Sequence, residues 1–184
     1  MKRYAILTVG KTHSGKTTFA RELEQSLSGS IVIDQDNHAA FINKYYRKMQ
    51  PTSGPNTLKY TISQTIIDYA IRETELHLII CNSNRSRLGR KELLAYLHSL
   101  GFVTVIVNFD IPDAVLMERV EKTERSTEIF RSAATFEEVL ARQQADNYNS
   151  DVAVPVEGEA DQLFTIRDEN DVPFIIQEIC TLIQ

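Results

Sequence analysis

From Gly10 to Thr17 the chain reads GKTHSGKT, which satisfies the spacing G-x-x-x-x-G-K-[ST]. A short, largely apolar run at residues 4–9 precedes it. Residues 15–27 follow, with Phe19, Ala20, Leu23 and Leu27 recurring on one helical face. A buried strand, a glycine loop and an amphipathic helix in immediate succession constrain the fold more than any other feature here. In that context the loop has a physical meaning. Glycine permits the backbone angles that turn successive N–H groups inward around an anion, and the helix aims its positive end at the same point. Gly10, Lys11, Thr12, His13, Ser14, Gly15, Lys16, Thr17 and Thr18 are therefore the expected contacts of a nucleoside triphosphate, ATP with Mg²⁺. Lys16 is expected to bridge the β- and γ-phosphates and the Thr17 hydroxyl to ligate the metal. His13 is expected to act as a spacer that contributes only its backbone N–H.

The rest of the chain alternates strand and helix, which argues for a parallel sheet covered on both faces. Strands are expected at 31–33, 76–81, 102–109 and 163–166, and helices at 37–49, 57–74, 88–100, 136–148 and 172–183. In the 57–74 helix the apolar face is read as Leu58, Ile62, Ile66, Tyr69 and Ala70. Pro112 suits the first turn of another helix, with Asp110 close enough to cap it. Residues 122–134 are polar and poorly periodic, a candidate lid. No internal repeat or linker interrupts the pattern, so 1–184 is expected to form a single domain.

Composition narrows the function classes. The net charge of −5 offers no electrostatic case for tight nonspecific binding to nucleic acid or anionic membrane. No apolar run approaches the roughly 20 residues of a membrane-spanning helix. The basic start and apolar stretch at residues 1–12 run straight into the glycine loop without a small-residue cleavage site, so a strand is expected there. Cys81 and Cys180 lie far apart in apolar contexts, as reduced thiols of a cytoplasmic protein would. Neither joins a histidine at zinc-binding spacing.

Ile31-Val-Ile-Asp34-Gln-Asp36 places two carboxylates at the carboxyl end of the second strand, the edge of an α/β sheet that carries ligands. Either acid could take the proton of an attacking hydroxyl or hold Mg²⁺ through water. The simpler reading is that Asp36 or Asn37 caps the next helix.

The phosphate loop, this Asp-x-Asp pair and a later arginine-bearing segment make the chain resemble the small P-loop kinases. These include shikimate- and gluconate-kinase-like enzymes and, more closely, the kinase domain of polynucleotide 5′-kinases and AAA_33-type proteins. The resemblance implies a three-layer α/β P-loop NTPase fold with a five-stranded parallel sheet in the order 2-3-1-4-5. It implies that Asp36 is the general base toward a substrate hydroxyl and that Asp34 helps hold Mg²⁺ through water. By the same resemblance Arg119 packs on the adenine, residues 167–171 border it, and Arg125 is the lid cation, with Arg131 and Lys122 as rivals. Asn82 stands where related kinases often carry a carboxylate, and Asn84 would bind substrate or stabilise its loop. Polynucleotide kinases commonly carry an arginine shortly after the catalytic acid. The stretch Asp36-Asn37-His38-Ala39-Ala40 has none, which favours a small hydroxyl-bearing acceptor over a nucleic-acid end.

Several charged stretches have plainer readings. Residues 43–48 mix aromatics and bases as a solvated helix face would, although Tyr45, Tyr46 and Arg47 fall where related kinases bind substrate. Arg85, Arg87, Arg90 and Lys91 form the densest basic cluster, suited either to an anionic substrate or to solvent. Glu157, Glu159 and Asp161 read as a surface turn. The expected activity is transfer of the γ-phosphoryl of Mg-ATP to a hydroxyl of a small molecule. The alternatives are a polynucleotide 5′-hydroxyl kinase and a nucleotide-binding regulator without kinase activity.

Overall fold

Tyr4–Val9 forms β1, and all six of its residues are buried. Its alternation divides the core. Tyr4 and Ile6 face one apolar cluster, while Ala5, Leu7 and Val9 face the other. The computed structural model describes residues 2–131, 135–146 and 151–183. After β1 come α1 (Lys16–Ser26), β2 (Ser30–Asp34), α2 (Gln35–Tyr45), α3 (Thr57–Glu73), β3 (His77–Cys81), α4 (Arg87–Ser99) and β4 (Val103–Phe109). The chain continues through α5 (Asp113–Glu121), α6 (Phe136–Ala145), β5 (Gln162–Ile166) and α7 (Asp171–Ile183).

The five strands are parallel in the order β2-β3-β1-β4-β5. Ile6 lies between Ile79 of β3 and Val105 of β4 at the centre of the sheet. One face is covered by α1, α5, α6 and α7 through Phe19, Leu116, Phe136 and Ile179. The other is covered by α3 and α4 through Ile67, Ile71, Leu94 and Leu97. The strand order places the connections after β1 and β2 side by side with the one after β3, all at the carboxyl edge.

Local details depart from the sequence reading in four places. The helix expected at 37–49 ends at Tyr45, and a separate 3-10 turn occupies Arg47–Met49. In α3 the buried positions are Ser63, Ile67, Ala70 and Ile71, whereas Ile66 and Tyr69 are exposed. The true stripe lies one residue on from the expected one, about 100° around the helix. Asp110 does not cap α5. Pro112 is the N-cap residue without a side-chain bond, and the Asp110 N–H donates to the Ile166 carbonyl, tying β4 to β5. The acidic turn is not idle surface either. Glu159 pairs with the buried Arg90, and Asp161 accepts from the Thr104 N–H and hydroxyl. Residues 132–134 of the candidate lid and 147–148 of the expected sixth helix lie outside the described residues.

Candidate active site

Gly10 has φ +155°, and a Cβ there would come within 2.9 Å of the Phe109 Cβ and 3.0 Å of the Ser14 hydroxyl. The site therefore excludes any side chain at Gly10. Gly15 precedes α1 with φ +95° and leaves the helix without a side-chain cap, so its first N–H groups stay available to an anion. Lys16 folds back over this cradle. Its ammonium donates to the Lys11 carbonyl and, at 3.0 Å, to the Ser14 hydroxyl. Burial pushes its pKa down to about 8, against partial support from Cys81 and Asp36. A phosphate would offer that ammonium a negative partner in place of a carbonyl and a hydroxyl.

His13 does more than space the loop. It adopts φ +58°, its Nδ1 lies 3.0 Å from the Thr12 hydroxyl, and its ring meets Phe136 edge-on at 4.6 Å. Burial, then the Arg125 and Lys16 cations, hold its pKa below the ordinary value. The imidazole is thus kept neutral and packed as a prop between loop and α6.

The two acids at the end of β2 are differently placed. Asp34 is buried and is itself the N-cap of α2, accepting from the Asp36 N–H at 2.8 Å. Neither Asp36 nor Asn37 caps this helix, the alternative to a functional role for the acid pair. The second Asp34 oxygen accepts from the Thr17 hydroxyl at 3.3 Å, and burial raises its pKa. Thr17 and Asp34 present hard oxygen ligands from facing elements. Mg²⁺ is commonly held by one or two protein oxygens, with phosphate and water completing the shell, so this pair fits it. Asp36, freed from capping, accepts from the Arg125 guanidinium at 2.7 Å.

Of the three lid cations considered, Arg125 alone reaches the acid pair. Lys122 is spent on Glu118 at the surface, and Arg131 donates to the Pro51 and Gly54 carbonyls at 3.1 and 2.6 Å. Arg131 thereby fastens the candidate lid to the segment before α3. Asn43 adds a second tie by donating to the Glu128 and Phe130 carbonyls, and Gln50 donates to Asn43. The Arg125 guanidinium also lies over the Phe136 ring, 5.3 Å from its centroid, the ring that His13 meets edge-on.

These groups line one cleft of about 1310 Å³. Arg119, Ile111, Asp168, Glu169 and Val172 line it, as do Asp36, Asn56, Lys59 and Tyr60, with Lys59 near enough to feel the charges of Asp36 and Asp34. Arg119 donates to the His13 carbonyl at 3.3 Å, which holds the guanidinium beside the phosphate loop. Lys11 is paired with Asp113 at 2.5 Å. Thr18, in the third position of α1, is exposed and also lines the cleft.

Residues 6–146 match the family model AAA_33, an AAA domain. The chain belongs to the AAA_33 family. No curated protein matches it by sequence. Solved structures of similar shape include a sugar kinase from Janibacter sp. HTCC2649, with TM-score 0.63, 15% identity, and coverage of 97% of this chain and 93% of that one. Shikimate kinase from Bacteroides thetaiotaomicron gives TM-score 0.60 and 16% identity over 98% of both chains. The APS kinase of Mycobacterium tuberculosis, solved with AMPPNP and APS, gives TM-score 0.61 and 15% identity over 99% of this chain and 98% of that one. At these identities the likeness establishes the P-loop kinase fold.

In this AAA_33 chain the basic cluster after β3 is mostly structural. The buried Arg90 donates to Glu159 and to the carbonyls of Asn84 and Arg85, and Arg85 donates to the Gln143 carbonyl. Asn82 and Asn84 also serve the scaffold. Asn82 bonds Gln35 and the Ser83 N–H, while Asn84 at φ +45° donates to the Thr8 carbonyl. Tyr45 and Tyr46 cluster with Phe41 on the exposed side of α2 and do not line the cleft.

Three residues escaped the sequence reading. Gln143 accepts from the Thr12 N–H at 2.7 Å, so α6 reaches into the phosphate loop. Asn43 ties down Glu128 and Phe130, and Lys59 lines the cleft near the acid pair. None belongs to a recognisable motif, and their roles depend on elements far away in sequence.

Proposed function

We propose that this AAA_33 protein transfers the γ-phosphoryl of Mg-ATP to a hydroxyl of a small molecule. The observation that carries the reading is Asp36. It is released from helix capping by Asp34 and turned into the cleft that the phosphate loop lines, against the Arg125 cation. A nucleotide sensor has no use for a carboxylate so placed.

The loop amides from His13 to Thr17 and the Lys16 ammonium would hold the phosphates, while the Gly10 and Thr12 N–H groups brace the loop on Ser83 and Gln143, and Arg119 with the segment after β5 would border the adenine. Thr17 and Asp34 would hold Mg²⁺, which when bound neutralises charge on the phosphates. Asp36 accepts the acceptor's hydroxyl proton as the hydroxyl oxygen bonds to the γ-phosphorus, and the bond to the β-phosphate oxygen breaks to leave ADP. Arg125 stabilises charge on the phosphoryl group in flight, and residues 122–131, tied down by Arg131 and Asn43, exclude water.

The test is ADP release from Mg-ATP across a panel of polyols, sugars, hydroxy acids and 5′-hydroxyl oligonucleotides. Transfer to a small hydroxyl compound is expected. Transfer to oligonucleotides alone would make the protein a polynucleotide kinase, and tight ATP binding without transfer to any of them would make it a regulator.

A further inference from the structure

Lys59 sits in the first turn of α3, where the Asn56 side chain accepts from its N–H. Three features make it a costly residue at this position. A cation lies at the positive end of a helix whose first turn carries no acid. Its side chain is drawn into the cleft rather than into solvent, and burial lowers its pKa. Among the described residues no carboxylate lies within ion-pairing distance of it. The Tyr60 ring centroid lies 5.1 Å from the ammonium.

The neighbouring acids are already engaged. Asp36 is paired with Arg125, and Asp34 serves the Asp36 N–H and the Thr17 hydroxyl. Their charges are felt at Lys59, but neither closes on it. Beside it, Ser63 and His38 bond each other at 2.7 Å, and neither a hydroxyl nor an imidazole supplies a negative charge. A half-desolvated, unmatched ammonium facing a cleft is a place for an anion from outside the chain.

We propose that Lys59 is a specificity-determining residue that binds an anionic group, carboxylate or phosphate, carried by the acceptor whose hydroxyl meets Asp36. This rests on the reading of the cleft as a hydroxyl-phosphorylating site. The acceptor is then a hydroxy acid or a phosphorylated polyol rather than a neutral sugar. Lys59 and Asp36 would hold the two ends of one small molecule, fixing the hydroxyl against the phosphate loop.

The deciding probe is inorganic phosphate, titrated by calorimetry into protein saturated with Mg²⁺ and a nonhydrolysable ATP analogue, so that the phosphate loop is already filled. Glycerol, glycerate and glycerol 3-phosphate form a matched set beside it. The saturated wild type is expected to bind phosphate. Lys59→Gln should weaken that binding by about tenfold or more, and Lys59→Arg should retain most of it. Lys59→Gln should also melt no lower than wild type, since it removes an unmatched buried charge. Phosphate that fails to bind the saturated wild type, or binds Lys59→Gln equally well, overturns the proposal. The kinase reading is scored separately by ADP release. Transfer to neutral glycerol with a KM that Lys59→Gln leaves unchanged sinks the anion site and spares the kinase. Lys59-dependent phosphate binding without transfer to any hydroxyl compound sinks the kinase and spares the anion site.

Discussion

Arg125 donates to Asp36 at 2.7 Å across the cleft, joining residues 89 positions apart in the chain. Both side chains are more than a third exposed, so the pair contributes about 1 kcal/mol or less to stability. Its interest is chemical, because it brings together the proposed base and the proposed phosphoryl-stabilising cation. Asp36→Asn should leave ATP affinity and melting temperature nearly unchanged while slowing transfer by roughly 10²–10⁴-fold, the range typical of a lost acid-base group. Turnover, affinity and stability measured on that single variant check this, and wild-type transfer would remove Asp36 from the mechanism.

Lys16→Ala should weaken Mg-ATP binding at least about tenfold, because it deletes the ammonium folded over the cradle. The same group sets a pH dependence. Its folded-state pKa of about 8 lies below the unfolded value of 10.5, so the unfolded chain binds more protons between these limits. The Lys16 contribution to stability of the nucleotide-free protein should therefore rise through that window, opposed above about pH 9 by Cys81, whose pKa burial raises from 9.0 to about 11, and Lys16→Met should remove the rise between about pH 8 and 9. Phosphate oxygens favour the charged form, so ATP binding near pH 9 should take up a proton. Calorimetry in buffers of different ionisation enthalpy measures that uptake.

Thr17 and Asp34 can be separated by metal titration. Thr17→Ala should spare metal-free nucleotide binding and weaken the Mg²⁺-dependent part. Asp34→Asn keeps a good helix cap and should raise the Mg²⁺ requirement for transfer. Asp34→Ala should also lose the cap of α2, at about 1 kcal/mol of stability. Equal Mg²⁺ curves for Asp34→Asn and wild type would leave Asp34 as a cap only.

Residues 122–131 should become more protected from hydrogen exchange when a nonhydrolysable ATP analogue binds. Asn43→Ala and Arg131→Ala cut the ties to the Glu128 and Phe130 carbonyls and to the Pro51 and Gly54 carbonyls. Each should raise exchange in this segment and lower kcat with little change in ATP affinity. Protection that does not respond to nucleotide would mean the segment is not a lid.

Arg90 and Glu159 form the most enclosed ion pair among the described residues, with side chains 1% and 12% exposed. Glu159→Ala strands the Arg90 charge and should cost about 3–5 kcal/mol. ATP affinity per folded molecule should stay unchanged, as thermal melts and calorimetry on the folded fraction would establish. A selective loss of turnover would return this cluster to the active site.

The phosphate loop and the helix after it were legible because their physics is local. Glycine at positive φ, a lysine one step on and a 3.6-residue apolar period need only a dozen neighbouring residues. The buried strands were legible for the same reason, each being a short apolar run between turns, and their boundaries hold to a residue or two. The strand order followed from resemblance to a known fold rather than from any single segment.

Local sequence alone thus specifies the succession of strands and helices and the glycine-lysine loop between the first two. Only tertiary structure decided which stripe of α3 is buried, since Ile62 and Ile66 compete with Ile67 and Ile71 until the sheet selects one face. It also decided that Asp34 rather than Asp36 caps α2, that Arg90 is enclosed while Lys59 is left unmatched, and that Arg125 meets Asp36 while Arg131 meets two carbonyls. Each of these outcomes depends on a partner brought near by folding. Charge, burial and hydrogen bonding are properties of such pairs, and a linear pattern records only one member at a time.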